Sequence, residues 1–207
     1  MLNRNLKSRI LEISLKYGLT HLGSTLTSCD IIDDIYQTKK KNEMFFLSCG
    51  HAGIALYAVI EKYEKVDAES IYLHHGIHPD RCDKCHLHFS SGSLGHGLSQ
   101  AVGLALSNRS KNVYCLISDG ELFEGSIYEA ANVINKYKVD NIKVFLNYNH
   151  WGAYDPISPE IVENMRVLIP NIRVFNTNFN DYPFLKGQDA HYYKLTKEDY
   201  EEFKVLK

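Results

Sequence analysis

Residues 118–149, SDGELFEGSIYEAANVINKYKVDNIKVFLNYN, decide the predicted fold. The apolar run at 113–118 predicts a buried strand that ends at Asp119, and the apolar run at 142–146 predicts a second strand that leads to Asn149. The segment between the two runs has the pattern of a helix. Parallel strands joined by a helix are usually neighbours, so Asp119 and Asn149 are expected at the same edge of a sheet. Open α/β sheets bind their ligands at that edge.

The residue types at this edge indicate a cation. Asp119 and Asn149 are thirty residues apart in the chain, and a carboxylate and an amide oxygen suit a hard ion such as Mg²⁺. Such an ion keeps coordination positions that substrate phosphates fill. The alternative interpretation of Asp119 and Gly120 alone is an ordinary turn between strands, because Asp and Gly are common turn residues.

The composition is that of a globular domain. The chain has 207 residues, of which 44% are hydrophobic and 23% charged, enough for one sizeable domain. A net charge of -2 gives no electrostatic case for nucleic acid or a membrane as partner. No apolar run reaches the length of about 18 residues that a membrane span needs. The N-terminus lacks the pattern of a signal peptide, so we expect a cytoplasmic protein whose five cysteines are reduced.

Strand and helix patterns alternate along the chain, which predicts an α/β fold with a doubly wound, mainly parallel sheet flanked by helices. No linker interrupts the pattern, so residues 1–207 are expected to form a single domain. The first helix should end near Gly18, and Ser28 is a good N-cap for a second. Residues 74–92 are polar and predict a loop, whereas Thr196 and Asp199 predict a capping box with Asp replacing the usual Glu or Gln. The other predicted elements are strands at 44–48 and 172–175 and helices at about 53–62, 94–107, 127–138 and 159–168.

Four short loops carry a resemblance to a known family. They are THLGS at 20–24, LSCGHAG at 47–53, IHPD at 77–80 and SGSLGHG at 91–97, and all precede Asp119 in the chain. Together with residues 118–149 they resemble the thiamine-diphosphate-binding N-terminal half of transketolases, especially those split into two polypeptides. The resemblance covers roughly residues 5–155. One departure is Ser118, which stands where the family motif begins with Gly.

The resemblance implies thiamine diphosphate and Mg²⁺ as cofactors, and it implies roles for particular residues. Asp119, Asn149 and the carbonyl of Trp151 would ligate Mg²⁺. His21 and His78 would face the substrate as catalytic acid–base groups, since imidazole can move protons near neutral pH. Glu124 would lie where the family builds a carboxylate contact between subunits. The residues that would contact the cofactor are His51, Gly92, Ser93, Leu94, Gly120, Glu121 and Asn149.

The C-terminal part departs from the family. A His-Thr-x-Lys-Gly-x-Gly loop is reduced to NTNFND at 176–181, and the chain is shortened after about residue 156. Nothing in the sequence resembles the pyrimidine-binding domain that transketolases also need. The resemblance therefore implies half of an enzyme, active in a dimer or α₂β₂ assembly with a separate pyrimidine-binding subunit. Its reaction would transfer a two-carbon ketol unit between sugars or sugar phosphates. The alternative enzyme classes are a deoxyxylulose-phosphate-synthase-like enzyme and a 2-oxo-acid enzyme.

A further motif offers a different interpretation. Cys82, Cys85 and His86 match the C-x-x-C-H pattern of c-type haem attachment, which requires export. With His78 and His88 the same loop could instead hold a tetrahedral Zn²⁺. A zinc role for His78 would exclude its role toward a substrate. A non-catalytic or zinc-binding module derived from the enzyme half is therefore a second functional hypothesis.

Overall fold

A four-stranded parallel sheet forms the centre of the protein, seen in a computed structural model that describes residues 4–205. The strand order is β1-β2-β3-β4, so each strand lies beside the one that precedes it in the chain. Leu47 pairs with Leu116, and Ser118 pairs with Asn147. This register places the ends of the two strands named from the sequence side by side, which confirms the predicted α/β sheet. The strands are β1 (Met44–Leu47), β2 (Val113–Ser118), β3 (Ile142–Tyr148) and β4 (Arg173–Asn176).

Helices cover both faces of this sheet. Side chains alternate along β2, so Tyr114 and Leu116 join one apolar cluster while Cys115 and Ile117 join another. The first cluster packs under α1–α4 and the second under α5–α7, which explains why the strands are continuously apolar. The helices are α1 (Arg4–Tyr17), α2 (Leu22–Thr38), α3 (Gly53–Glu64), α4 (Ala68–His75), α5 (His96–Ser107), α6 (Gly125–Tyr137), α7 (Pro159–Leu168) and α8 (Lys197–Val205). None of the helices described combines the length and apolarity needed to cross a bilayer.

The start of α2 corrects one prediction. The helix begins at Leu22, six residues before the expected N-cap at Ser28. Ser28 is fully buried within the helix, and its hydroxyl accepts a hydrogen bond from Asn147 Nδ2 at 3.0 Å. The first turn is closed instead by His21, whose carbonyl accepts from Thr25 N at 3.0 Å and from Thr25 Oγ1 at 2.8 Å. Ser28 is thus a buried contact to the sheet, a role that local sequence does not distinguish from a cap.

The segment predicted as a loop at 74–92 contains some regular secondary structure. Helix α4, which was not predicted from the sequence, extends into it as far as His75 and is capped by Asp67, which accepts from Ser70 N at 2.7 Å. A short 3₁₀ turn follows at Asp83–Cys85. The expected bounds of α7 and the capping box of Thr196 and Asp199 are confirmed.

Candidate functional site

A cavity of about 560 Å³ opens at the carboxyl ends of the strands. Its walls come from the loops that follow β1, β2 and β3, from the start of α2 and from a short turn near the C-terminus. The size falls within the range of small-molecule sites. Titratable side chains in the lining are His21, His51, His78, Asp119, Glu124, Tyr154, Asp155 and His191.

Asp119 is a buried carboxylate that accepts hydrogen bonds from three backbone amides. Its Oδ2 accepts from Asn149 N at 2.9 Å and from His150 N at 2.8 Å, and its Oδ1 accepts from Gly120 N at 3.0 Å. Burial raises the pKa of Asp119 to about 7, although these three amides work in the opposite direction. None of these donors carries a full positive charge. The ionised carboxylate therefore lacks a counter-charge that a cation could supply.

Asn149 and Trp151 lie at the end of the neighbouring strand. The side-chain oxygen of Asn149 accepts from Trp151 N at 3.0 Å, which orients the amide. Trp151 and Pro156 form an isolated antiparallel bridge, so the chain turns back directly after Asn149. The structure thus brings Asp119, Asn149 and Trp151 to one cavity, as expected from the sequence.

The glycine-containing loops meet the same cavity. Gly92, Leu94 and Gly120 are in its lining, whereas Ser93 is exposed and lies outside it. A Cβ on Gly120 would meet one atom within 4 Å, the Cα of Gly152 at 3.8 Å. The backbone of Gly120 is therefore open to a ligand, which a larger residue would obstruct.

Glu121 lies beneath the cavity rather than in its wall. Its side chain is fully buried and accepts from Ser48 Oγ at 2.5 Å, from Gly95 N at 2.8 Å and from Ser118 N at 2.8 Å. Burial raises the pKa of Glu121, and these donors oppose the shift. One carboxylate thus joins the ends of β1 and β2 to the loop before α5. Glu121 therefore supports the loops that form the cavity, and its predicted contact with a cofactor stays a prediction.

A cluster of imidazoles forms another wall. The ring of His21 lies 5.3 Å from that of His51 and 4.4 Å from that of His191, between centroids. Burial, with smaller effects of neighbouring histidines, lowers the pKa of His21 to about 4 and that of His51 to about 3. Both rings are therefore neutral near pH 7. Nε2 of His51 lies 2.9 Å from Ser24 Oγ, which fixes the ring.

His78 reaches the cavity from a separate loop. A Cβ built on Gly92 would lie 3.5 Å from Cγ of His78, so the loops that carry these residues pack closely. His78 is exposed, whereas His51 is half-buried. All three predicted histidines thus line one cavity.

His191 is a site residue that was not predicted from the sequence, where no site residue was assigned after Trp151. The turn Gly187–His191 carries this ring into the cavity, and burial lowers its pKa. The sequence AHY at 190–192 is similar to the terminal stretch of the family named above, and this similarity was the signal that could have identified His191. It was not used because the nearby loop at 176–181 departs from the family.

The altered loop itself packs into the site. Thr177 Oγ1 donates to Asn147 Oδ1 at 2.6 Å, and Nε2 of His150 lies 2.8 Å from Asn176 Oδ1. Phe179 is in the cavity lining and would lie 3.2 Å from a Cβ on Gly23. The altered loop therefore contributes an aromatic ring to the cavity wall.

Comparisons with known proteins agree on one family. A family model described as 1-deoxy-D-xylulose-5-phosphate synthase matches residues 1–202. The human transketolase is 37% identical over 126 residues, which are 56% of this chain and 20% of that protein. One of the subunits of the apulose-4-phosphate transketolase of Phocaeicola vulgatus is 30% identical over 166 residues, 69% of this chain and 58% of that protein. The SqwG subunit of the 6-deoxy-6-sulfo-D-fructose transketolase of a Clostridium species is 31% identical over 154 residues, 65% of this chain and 56% of that protein.

Solved structures show the same fold. The transketolase of Campylobacter jejuni superposes on 97% of this chain with a TM-score of 0.75 and 20% identity, and 40% of that chain is covered. A transketolase variant from Pichia stipitis superposes on 99% of this chain with a TM-score of 0.78 and 15% identity, again over 40% of its own length. This chain therefore spans less than two thirds of the length of each relative named here.

Proposed function

Because this chain belongs to the transketolase-like thiamine-diphosphate enzymes, as an N-terminal domain of that family, we propose that it binds thiamine diphosphate and Mg²⁺ in one subunit of a two-part enzyme. The observation that carries this proposal is the pair of Asp119 and Asn149. A buried carboxylate without a counter-charge lies beside an oriented amide oxygen at adjacent strand ends. Together with the Trp151 carbonyl, these oxygens are the hard donors that Mg²⁺ prefers.

The rest of the cavity fits a cofactor of this kind. Open backbone at Gly120 suits the approach of a diphosphate, and the neutral, fixed ring of His51 can contact the same region. The backbone of residues 92–94 is proposed to line the aminopyrimidine end, with Ser93 contributing main chain alone. Glu121 is proposed to hold these loops in place. When bound, thiamine diphosphate supplies carbanion stabilisation that protein side chains cannot provide.

His21 and His78 are proposed as the acid–base residues. The ring of His21 is neutral near pH 7 because its pKa is lowered, so it can accept a proton from a sugar hydroxyl. Its Nδ1 lies 2.9 Å from Thr20 Oγ1, which leaves Nε2 for a substrate. His78 lines the same cavity from a separate loop, so a sugar bound in the cavity could meet both imidazoles.

A separate polypeptide is proposed to complete the site. Two relatives are named as subunits of transketolases. The exposed aromatic side chains Phe123 and Tyr154, 66% and 81% accessible, lie in the cavity lining beside Glu124. Exposed apolar groups around a cavity are typical of a surface that a partner protein covers. We propose that a pyrimidine-binding subunit covers this surface, in a dimer or α₂β₂ assembly. We also propose a cytoplasmic location, because the five cysteines are free thiols in the structure and would stay reduced there.

The proposed reaction is the transfer of a two-carbon ketol unit between sugars or sugar phosphates. A second candidate is deoxyxylulose-phosphate-synthase-like chemistry, which the description of the matching family model favours. The donor separates the two, because a ketol transferase uses a ketose whereas the alternative uses a 2-oxo acid.

The test uses the chain co-purified with a pyrimidine-domain protein from a neighbouring reading frame. We expect calorimetry to detect Mg²⁺-dependent binding of thiamine diphosphate, and ketose donors to be cleaved with transfer to aldose acceptors. Turnover of 2-oxo acids alone would favour the second candidate. Absence of cofactor binding in a stable complex would refute both and support a non-catalytic module.

A further inference from the structure

The loop between α4 and α5 contains a small, regular hairpin. Cys82 N donates to Leu87 O at 2.9 Å, and Leu87 N donates to Cys82 O at 3.0 Å. The turn Asp83–Cys85 closes the hairpin, with Cys85 N donating to Cys82 O at 3.1 Å. A C-x-x-C pair on such a turn directs two thiols to a common point, which is an arrangement that binds metal ions.

A third ligand comes from the preceding helix. His75 is the last residue of α4, and its Nε2 lies 3.4 Å from Sγ of Cys85. The ligand atoms of His75, Cys82 and Cys85 all lie within 4.8 Å of one another. In a tetrahedral zinc site, bonds of about 2.0–2.3 Å place neighbouring ligand atoms roughly 3.5–3.8 Å apart. Small side-chain rotations would therefore suffice for coordination.

We propose that His75, Cys82 and Cys85 bind one Zn²⁺ ion, with the fourth position open to water. One imidazole and two thiolates match the nitrogen and sulfur ligands that zinc prefers over the oxygen ligands of magnesium. Binding deprotonates both thiols, so two protons leave to solvent as the two zinc–sulfur bonds form. All three residues are half-buried, which leaves room for a water ligand.

The histidines expected from the sequence lie elsewhere. His78 lines the large cavity, and Nδ1 of His86 lies 3.8 Å from Glu64 Oε2. His88 lies outside the three-residue cluster. Since His75 supplies the nitrogen ligand, zinc binding and a role of His78 toward the substrate no longer exclude each other.

The metal would hold both ends of the loop that carries His78. Residues 76–81 separate His75 from Cys82, and His78 lies in their middle. The loop is packed tightly against α3, because a Cβ on Gly53 would lie 2.1 Å from Ile77 O. Pro79 O also accepts from Ser91 N at 2.9 Å. We therefore expect zinc to fix the position of His78, and this consequence, unlike the zinc site itself, rests on the proposed function.

The test is elemental analysis of protein purified from zinc-supplemented cells under reducing conditions. We expect close to one zinc per chain in the wild type and at least a fivefold loss in Cys82→Ser, Cys85→Ser and His75→Ala. His86→Ala is the matched control, because it belongs to the C-x-x-C-H pattern but not to the cluster, and it should keep its zinc. Co²⁺ substitution should give the absorption of a tetrahedral thiolate site.

Several outcomes would overturn the proposal. They are zinc no higher in the wild type than in a Cys82→Ser/Cys85→Ser double variant, or a loss of zinc in His86→Ala. If the cysteine variants do not fold, the wild type serves instead: a zinc-selective chelator should release one zinc and expose two reactive thiols together. Zinc content does not depend on activity, so this test can succeed even where the proposed function fails.

Discussion

His21 donates its backbone N–H to the carbonyl oxygen of His191 at 2.9 Å, and the two rings lie 4.4 Å apart. The bond joins the residue before α2 to the last residue of a turn near the C-terminus. His21 also has a positive φ of 62°, which is uncommon in residues other than glycine. The backbone position of His21 is therefore held by a segment more than 160 residues away in the chain.

The first prediction concerns Asp119. Asp119→Asn keeps the shape of the side chain but removes its charge, so Mg²⁺-dependent binding of thiamine diphosphate by the two-subunit complex should fall below detection. Calorimetry measures the binding, and circular dichroism verifies the fold. Asp140→Asn changes an exposed carboxylate and should bind normally. Unchanged affinity in Asp119→Asn would show that this residue does not bind the metal.

The second prediction is a pH dependence of the metal-free chain. The folded-state pKa of Asp119 is raised to about 7, above its unfolded value of about 4. Its contribution to stability is thus fully present below pH 4 and is lost as the pH rises through 7, by at most roughly 4 kcal/mol. Urea unfolding at pH 5 and pH 8 should show about two thirds of this loss in the wild type and a smaller one in Asp119→Asn. Equal losses in both proteins would contradict the assignment.

The third prediction concerns Glu121. Glu121→Gln places an amide NH₂ among donors from Ser48, Gly95 and Ser118, so buried groups lose their acceptor. We expect a loss of about 1–3 kcal/mol in the free energy of unfolding, measured by urea denaturation. Glu129→Gln, on the exposed side of α6, should cost little. The same stability in both variants would show that the buried hydrogen bonds contribute nothing.

The fourth prediction separates the histidines. His21→Ala and His78→Ala should lower turnover roughly 10²–10⁴-fold at saturating cofactor, because each removes an acid–base group. His51→Ala should instead raise the cofactor concentration needed for half-maximal rate, and excess cofactor should restore part of the activity. His74→Ala, exposed on α4, is the control. If excess cofactor also rescues His21→Ala, that residue binds the cofactor and does not act in catalysis.

The fifth prediction concerns the partner. The isolated chain should be inactive with all sugar phosphates tested, and Phe123→Ser with Tyr154→Ser should weaken binding to the second subunit by a factor of at least ten. Val167→Ser removes an equally exposed apolar side chain from α7 and should leave the affinity unchanged. Ketol transfer by the purified chain alone would refute the need for a partner.

Much of the fold follows from local sequence, because the strands are continuous apolar runs and α7 has a clear proline start. The start of α2 does not, since Ser28 satisfies a capping pattern yet is buried against Asn147. Helix α4 was missed because it has eight residues, too few for a repeated apolar pattern; Ala68 and Ile71 are its buried residues.

Some residues of the candidate site were likewise predictable from the sequence, and others were not. Asp119 and Asn149 were predictable because strand ends meet along one sheet edge. His75 and His191 were not, because each reaches its cluster through tertiary contacts that no sequence spacing records. Glu121 lies two residues after Asp119, yet its burial beneath the cavity depends on Ser48 and Gly95, which come from two distant parts of the chain.

The strand order β1-β2-β3-β4 has a consequence for synthesis on the ribosome. Each strand can dock beside its predecessor as it emerges, so Asp119 and Asn149 can meet as soon as β3 is in place. The wall that His191 completes can form only after residue 191 has emerged, more than forty residues after β3. A nascent polypeptide would thus build the edge that holds Asp119 and Asn149 first and close the histidine wall later.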